Sequence, residues 1–137
     1  MNVKIIPLEV ALEIRKIVMY PDLSIAEQKV ETDDSSVHLG VEVDGMIVSV
    51  ISLFEINNEL QFRKFATLQS EQGKGYGQFL LQYVFEYAKA KKYSAIWCNA
   101  RMNAAGFYAR FGMAPSGETW WDKGFEFVKM RIDLQTN

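Results

Sequence analysis

The sequence has little of the residues on which covalent or metal-based stabilisation depends. Cys98 is its one cysteine and His38 its one histidine. A single cysteine excludes an intramolecular disulfide, and with it a secreted scaffold stapled by disulfides. One cysteine and one histidine also leave a Cys/His zinc site short of ligands. We therefore expect no bound metal.

The chain also lacks a long hydrophobic run and a basic excess. The longest mainly apolar run, Met46 to Phe54, is too short to span a bilayer as a helix. The first residues lack the basic region and apolar core of a signal peptide, so the cytoplasm is the expected compartment. Fifteen Lys and Arg against seventeen Asp and Glu give a formal net charge of −2. Binding to a nucleic-acid backbone is therefore not expected.

What is present is typical of a globular protein. Of 137 residues, 49% are hydrophobic and 23% are charged, and nine Phe, six Tyr and three Trp offer large apolar anchors. No repeat, low-complexity segment or Gly/Ser/Pro-rich linker divides the chain. The length and the uninterrupted composition predict a single domain over residues 1–137.

The first half of the chain predicts one helix and then a run of antiparallel strands. Apolar residues recur at helical spacing between Pro7 and Pro21, which suit a helix start and a helix end. Asp44-Gly45 is a strong two-residue hairpin signal, and Asn57-Asn58 indicates a second turn. We expect an exposed loop over the polar residues 33–36. The predicted strands are Val3–Ile6, Val37–Val43, Met46–Ile56 and Leu60–Leu68.

The second half alternates helices and strands. Apolar spacing predicts a helix over about residues 75–91, and a short helix from Ala104 to Phe111 ends at Gly112, which favours a left-handed helix exit. The predicted strands are Tyr93–Asn99, Met113–Trp121 and Phe125–Ile132. The order β-α-βββ-α-β-α-ββ predicts a mixed α/β (α+β) domain with helices packed on one central sheet.

A glycine-rich turn, Gln72-Gly73-Lys74-Gly75-Tyr76-Gly77, lies between a predicted strand and a predicted helix. Such a turn exposes backbone N–H groups at the positive end of the helix and suits a phosphate or pyrophosphate, to which Lys74 adds a charge. It could also serve only as a tight corner. A P-loop does not match because the spacing before Lys74 is wrong. A dinucleotide fingerprint does not match because Gln78 stands where its third glycine belongs.

Two segments resemble a known family. Gln72-x-x-Gly75-x-Gly77 is similar to the Gln/Arg-x-x-Gly-x-Gly/Ala signature of the GNAT superfamily of N-acetyltransferases. Residues 104–113 resemble that family's second signature, Ala-x-x-Phe-Tyr-x-x-x-Gly-Phe. The two segments lie on successive predicted helices with one strand between them, as in the family. The resemblance implies a GNAT-like fold with a central, mostly antiparallel sheet and helices on both faces, and it implies an acetyl-CoA-dependent N-acetyltransferase.

The resemblance also implies where acetyl-CoA, the acyl donor, would bind. The pantetheine arm would lie along Ala66, Thr67 and Leu68. The family often has Asn or Gln seven residues before the signature Tyr, where this chain has Arg101. Asn103 is therefore a predicted further contact to the cofactor, with Arg101 as the alternative. The residues expected around the pyrophosphate are Gln72, Gly73, Lys74, Gly75, Tyr76 and Gly77.

Tyr108 is the predicted general acid, because the resemblance places its hydroxyl near the departing sulfur and a phenol of pKa about 10 is protonated at neutral pH. Phe107 and Tyr108 could instead be core aromatics. Cys98 as a nucleophile with His38 as its base is disfavoured, because a lone cysteine in an apolar strand is usually a core residue. We therefore expect direct transfer in a ternary complex. The general base stays open between a water chain and three carboxylates, Glu55, Glu59 and Glu118.

Arg63 and Trp120 are predicted to contact the acceptor. Arg63 and Lys64 are adjacent on a strand, so one of them would point towards the core or a cleft. That cation would pair with an acceptor anion, pair with an internal carboxylate, or extend its charged end to solvent. Trp120, with Trp121 and Phe125, would wall the acceptor site or cap the sheet. We expect a small-molecule primary amine as the acceptor. The alternatives are a protein or peptide acceptor, or a non-catalytic acyl-CoA-binding module. A homodimer through the last hairpin is compatible with the sequence.

Overall fold

The structure is a computed structural model that describes residues 1–134. Its elements follow the predicted order. The strands are β1 (Asn2–Ile5), β2 (Val37–Val43), β3 (Met46–Ile56), β4 (Glu59–Thr67), β5 (Ala95–Arg101), β6 (Ala114–Asp122) and β7 (Phe125–Asp133). The helices are α1 (Leu8–Val18), α2 (Tyr76–Ala90) and α3 (Ala105–Ala109). Short 3-10 turns lie at residues 26–28, 33–35, 69–71 and 102–104.

The strands form a mixed sheet in the order β1-β2-β3-β4-β5-β7-β6. β1 with β2, β2 with β3, β5 with β7 and β6 with β7 pair antiparallel. β4 and β5 pair parallel, in a register from Glu59–Ala95 to Gln61–Trp97. A parallel pair needs a crossover connection, and α2 provides it between β4 and β5. The predicted mixed α/β fold with a mostly antiparallel sheet is confirmed.

Three hairpin turns explain why the strand ends were predictable. Both central residues of each turn have positive φ, which matches the right-handed twist of the flanking strands. The φ values are 51° and 81° at Asp44-Gly45, 51° and 63° at Asn57-Asn58, and 50° and 83° at Lys123-Gly124. β2 and β3 have the predicted bounds, and most other element ends differ from prediction by one or two residues.

The backbone divides into two compact units, and the chain crosses between them within β3, β4 and α2. The first unit comprises Met1–Phe54 and Phe62–Tyr87, and the second comprises Glu55–Gln61 and the chain from Ala88 onward. The predicted single domain over residues 1–137 stays a prediction, and its residues 135–137 lie outside the described chain.

Helices cover both faces of the sheet in the first unit. Ala66 of β4 packs in a buried cluster with Ala11 and Ile14 of α1. Its neighbour Phe65 lies against the start of α2, where a Cβ added at Gly77 would be 3.4 Å from the Phe65 ring. Adjacent strand residues point to opposite faces, so α1 and α2 pack on opposite sides of β4.

The second unit has one buried and one open sheet face. The buried face is formed by β5 and β7, whose inward residues are each at most 4% exposed. Antiparallel register places these residues opposite one another, since Cys98 pairs with Met130 and Ala100 with Val128. The buried set is Ile96, Cys98, Ala100, Val128 and Met130.

The predicted exposed loop over residues 33–36 is wrong for Asp33. Arg15 of α1 donates two hydrogen bonds to the Asp33 carboxylate, at 2.6 and 2.9 Å, and both side chains are fully buried. Arg15 also donates to Ser52 Oγ at 2.8 Å. A polar tetrapeptide is typical of a solvated loop, and the sequence alone does not show that Asp33 has a long-range partner. The buried cation on α1 is what draws Asp33 inward, because a buried charge must be paired.

Candidate active site

The glycine-rich turn adopts a conformation that favours glycine at two positions. Gly73 has φ +80° and Gly75 has φ +88°, and an added Cβ at either would meet nothing within 4 Å. Lys74 separates these two left-handed residues, and α2 begins at Tyr76 directly afterwards. Left-handed and ordinary residues in alternation curve the backbone so that successive N–H groups converge on one side, which is an anion-binding arrangement.

The N–H groups of this segment are available to a ligand. Within residues 1–134, the backbone N–H groups from Gly73 to Gln78 donate to no protein acceptor. The first bond of the new helix is donated by the Phe79 N–H to the Gly75 carbonyl at 3.0 Å. The leading N–H groups of a helix carry partial positive charge. We refer to residues 72–78 as the amide cradle.

Hydrogen bonds hold the amide cradle against the end of β4. Gln72 Nε2 donates to the Thr67 carbonyl at 3.0 Å. Ser49 Oγ donates to the Ala66 carbonyl at 3.2 Å and lies 2.8 Å from Thr67 Oγ1, and the Leu68 N–H donates to the Val48 carbonyl at 2.9 Å. The structure therefore brings the predicted residues 66–68 and 72–77 together in one unit. The side chain of Gln72, the glutamine of the first signature, thus links the turn to β4.

Lys74 has a partner that the sequence analysis missed. Its Nζ lies 2.9 Å from Glu71 Oε2, and both groups reach solvent. The hydrogen bond from Lys74 to Glu71, with the attraction of the carboxylate, raises the pKa of Lys74 above its ordinary value. The sequence signal for this ion pair is the three-residue spacing between Glu71, which ends a short 3-10 turn, and Lys74. The ammonium stays charged and sits beside the amide cradle.

Arg63 and Lys64 do not follow simple strand alternation. Lys64 has φ +56°, an uncommon conformation inside a strand for a residue other than glycine. Lys64 is half-buried with Nζ 4.9 Å from the Tyr20 ring centroid, and Arg63 is exposed with its guanidinium 5.7 Å from the Phe54 centroid. Neither cation is buried in the core. Left-handed residues of this kind concentrate at functional sites, and no sequence signal marked this one.

Tyr108 lies in the second unit, on α3, and is half-buried. Its ring packs edge-on against Phe107, with centroids 5.3 Å apart. Burial, with a smaller contribution from the nearby Cys98, raises the pKa of the Tyr108 hydroxyl above its ordinary value. The phenol is therefore uncharged at neutral pH and retains a proton that it can donate.

Cys98 and His38 do not have the properties of a nucleophile and its base. Burial raises the pKa of the Cys98 thiol to about 12, so the reactive thiolate is scarce at neutral pH. His38 is buried in the other unit, where Nδ1 lies 2.7 Å from Ser52 Oγ and Nε2 lies 2.9 Å from the Asp33 carbonyl. Because a carbonyl only accepts, Nε2 carries a proton. Both ring nitrogens are thus in use.

The three candidate bases differ in their surroundings. Arg131 holds Glu59 through two hydrogen bonds, of 2.7 and 2.9 Å, and this lowers the pKa of Glu59 and makes it a weaker base. Glu55 accepts a hydrogen bond from the Tyr93 hydroxyl at 3.1 Å, and Glu118 is exposed on β6. A carboxylate held by a guanidinium has little drive to take a proton, so Glu59 is a poor candidate for the general base.

The remaining predicted site residues lie on the surface of the second unit. Asn103 is exposed on the 3-10 turn that follows β5. Trp120 is 38% exposed and stacks on Phe127, with centroids 5.9 Å apart and an interplanar angle of 16°. Its neighbour Trp121 is 70% exposed, so Trp121 does not cap the sheet from solvent.

A mixed sheet with a glycine-rich N–H cradle at the start of α2 fits the GNAT-like fold and the anion-binding turn that the two sequence signatures imply, and comparison with known proteins supports that class. The family model described as "Acetyltransferase (GNAT) domain" matches residues 14–134. The Bacillus subtilis (strain 168) protein named "Uncharacterized N-acetyltransferase YitI" is 32% identical over 127 residues, covering 86% of this chain and 85% of that protein. The chain belongs to the GNAT family of acetyltransferases and is an acyltransferase enzyme.

Solved structures share the fold. A putative N-acetyltransferase from Lactobacillus plantarum superposes with a TM-score of 0.85 at 19% identity, covering 98% of this chain and 100% of that one. An aminoglycoside 6'-N-acetyltransferase in complex with coenzyme A superposes with a TM-score of 0.79 at 10% identity, covering 97% of each chain. At these identities the likeness shows the fold alone.

Across residues 1–134, no group of three or more His, Cys, Asp or Glu side chains is placed to hold a metal ion. In the same part of the chain, no helix is both long and apolar enough to cross a membrane.

Proposed function

We propose that this enzyme transfers the acetyl group of acetyl-CoA directly to a primary amine of a small molecule, with both substrates bound at once. The observation that carries the proposal is the amide cradle. Six consecutive N–H groups from Gly73 to Gln78 donate to nothing in the described chain. Backbone N–H groups at the start of a helix are a ready anion-binding site, and a pyrophosphate is an anion of the right chemistry.

The donor side of the proposal rests on the first unit. The pyrophosphate of acetyl-CoA is held by residues 72–77, with Lys74 as an added cation. The pantetheine arm lies along residues 66–68, whose position next to the cradle is maintained by the Gln72–Thr67 hydrogen bond. The coenzyme A complex of the related aminoglycoside 6'-N-acetyltransferase, which shares this fold, supports the same ligand here.

The chemistry follows from the groups available. The amine nitrogen attacks the thioester carbonyl, the carbon–sulfur bond breaks, and the leaving thiolate takes the proton of the Tyr108 hydroxyl. The proton lost by the amine passes to solvent or a carboxylate, and Tyr108 is reprotonated. The products are an N-acetyl amine and free coenzyme A thiol. No covalent enzyme intermediate is needed, which agrees with the buried thiol of Cys98 and its raised pKa.

The acceptor side rests on Arg63 and Trp120, which the structure leaves exposed. Arg63 makes a cation–π contact with Phe54. In the part of the chain that the structure describes, it has no carboxylate partner. Trp120 offers a flat apolar surface. Taken separately, the Arg63 cation suits an anionic group of an acceptor, and the Trp120 surface suits a ring.

Calorimetric titration with acetyl-CoA tests the donor site. Gly75→Glu puts a negative charge and a strained residue in the amide cradle, so we expect the Kd to rise about 100-fold or more. Gly45→Glu is the matched control, because Gly45 has φ +81° in open space but lies in the β2–β3 turn. Its Kd should stay within about threefold of wild type. Equal affinity in both variants would place the donor elsewhere.

Release of coenzyme A thiol then identifies the acceptor class. We expect turnover with small primary amines that exceeds turnover with lysine-containing peptides by about tenfold in kcat/KM. A preference for peptides would replace the small-molecule assignment with a peptide acetyltransferase. Tight binding of acetyl-CoA without thiol release in either panel would instead indicate a non-catalytic binding module.

A further inference from the structure

The open sheet face of the second unit carries aromatic rings and cations side by side. Antiparallel register aligns Arg101 of β5, Phe127 of β7 and Trp120 of β6 across three strands. Residues directly opposite share a face, as do residues two apart on one strand. By the same rule the face also includes Trp97, Asn99, Asp122, Phe125, Lys129 and Arg131. We call the aromatic residues and the two cations that lie over rings the cation–aromatic face: Trp97, Arg101, Trp120, Phe125, Phe127 and Lys129.

Each cation on this face lies over a ring. The Arg101 guanidinium carbon is 3.9 Å from the Phe125 centroid, and Lys129 Nζ is 4.3 Å from the Trp97 centroid. These contacts orient two long side chains that would otherwise be mobile. The opposite face of the same strands is the buried one. The cation–aromatic face is therefore a prearranged surface that remains open to ligands.

The charges of Arg101 and Lys129 are not balanced by ion pairs. Anywhere from residue 1 to residue 134, neither cation has a carboxylate within ion-pair distance. Arg131, the next cation on this side of β7, pairs with Glu59 at 2.7 Å and Asp133 at 3.0 Å. Asp122 stands opposite Phe125 at the hairpin end. Of the nearby acidic residues, Glu59 and Asp133 are thus paired with Arg131, and Asp122 lies at the hairpin end. The charged side chains at the centre of the face are cations.

We infer that the cation–aromatic face binds the carboxylate of an acceptor that bears both a primary amine and a flat ring. Arg101 offers a planar fork of N–H donors that matches a carboxylate, and Lys129 adds a second positive charge. The stacked rings of Trp120 and Phe127 cover the flat part of the molecule. This inference rests on the proposed transfer to a small amine and names the class of acceptor.

The test compares two probes of equal shape, para-(aminomethyl)benzoate and para-(aminomethyl)benzamide, in calorimetric titrations with and without saturating coenzyme A. We expect wild-type enzyme to bind the carboxylate about tenfold or more tightly than the amide. Arg101→Gln and Lys129→Gln should each bring the ratio of the two Kd values towards one. Lys123→Asn removes one charge from the adjacent turn, off the face, and should keep the wild-type ratio.

The outcomes separate this inference from the proposed function. Acetyl-CoA binding without a preference for the carboxylate, including no measurable binding of either probe, overturns the inference and leaves acetyl transfer in place. A loss of acetyl-CoA affinity in Arg101→Gln also overturns it, because Arg101 would then hold the cofactor. A carboxylate preference in a protein that fails to bind acetyl-CoA overturns the proposed function and supports the anion site.

Discussion

The surroundings of Tyr108 bear directly on its proposed role as the general acid. Burial, followed by the nearby Cys98, raises the pKa of the hydroxyl, so the proton is retained across the physiological range. A more weakly acidic phenol is a poorer donor to water. It can still protonate a thiolate that leaves at close range, since proton transfer then relieves a charge in a partly desolvated site.

Replacement of Tyr108 by Phe tests this role. The ring is retained, so the packing against Phe107 should persist and the Kd for acetyl-CoA should change by less than about twofold. Loss of the proton donor should lower kcat about 100-fold or more. Tyr83→Phe, at a tyrosine 43% exposed on α2, serves as the control and should keep wild-type kcat. A wild-type kcat in Tyr108→Phe would leave the residue a packing role only.

At the scale of elements, one buried ion pair connects α1 with the 3-10 turn at residues 33–35 and with β3. Arg15 contributes hydrogen bonds to Asp33, to the Gln28 carbonyl and to Ser52. Asp33 in turn accepts from the Val30 N–H at 2.7 Å. The ion pair therefore ties this segment to α1 and β3, together with the hydrogen bond from Gln28 to the Tyr20 carbonyl and the contact of His38 with the Asp33 carbonyl.

Breaking this pair from one side should be costly. Asp33→Leu leaves the Arg15 charge buried without a counterion and should lower the free energy of unfolding by about 3–5 kcal/mol. The double variant Arg15→Met/Asp33→Leu removes both charges and should recover most of that loss. Urea unfolding gives both values. Asp34→Asn, which breaks only the exposed Lys29–Asp34 pair, should change stability by less than about 0.5 kcal/mol. A double variant as unstable as Asp33→Leu would contradict this account.

The same pair predicts how stability changes in acid. Burial raises the pKa of Asp33, but the hydrogen bonds from Arg15 and the Val30 N–H lower it more, so the folded-state pKa is below the ordinary value. A depressed folded-state pKa adds stability that is complete above the ordinary pKa and is lost as the pH falls through the folded-state pKa. Wild type should therefore lose stability below about pH 4 more steeply than the double variant.

At the scale of the whole molecule, the proposed direct transfer requires that both substrates be bound before any bond breaks. Cys98 is the only cysteine, and its thiol is buried with a pKa raised to about 12. Cys98→Ala should therefore keep kcat within about threefold of wild type, allowing for a small packing defect. Initial rates over a grid of both substrates should give intersecting rather than parallel lines. Parallel lines, or an inactive Cys98→Ala enzyme, would require an acetyl-enzyme.

Much of the architecture could be predicted because it depends on short-range signals. The Asp44-Gly45 turn needs positive φ at both positions, and the strands it joins have the predicted bounds. The amide cradle is likewise a local feature, since Gly73 and Gly75 adopt left-handed conformations that few other residues accept. The two signatures that indicated the family lie in segments of six and ten residues, and the family itself is confirmed.

The sequence by itself thus determined the order of elements, the family and the candidate donor site, because turn chemistry and hydrophobic periodicity act over a few residues. The tertiary structure alone decided which distant side chains meet. It buried Asp33 against Arg15, eighteen residues away, and aligned Arg101, Phe127 and Trp120 across three strands. Such contacts depend on strand register and long-range packing, and a linear pattern contains neither.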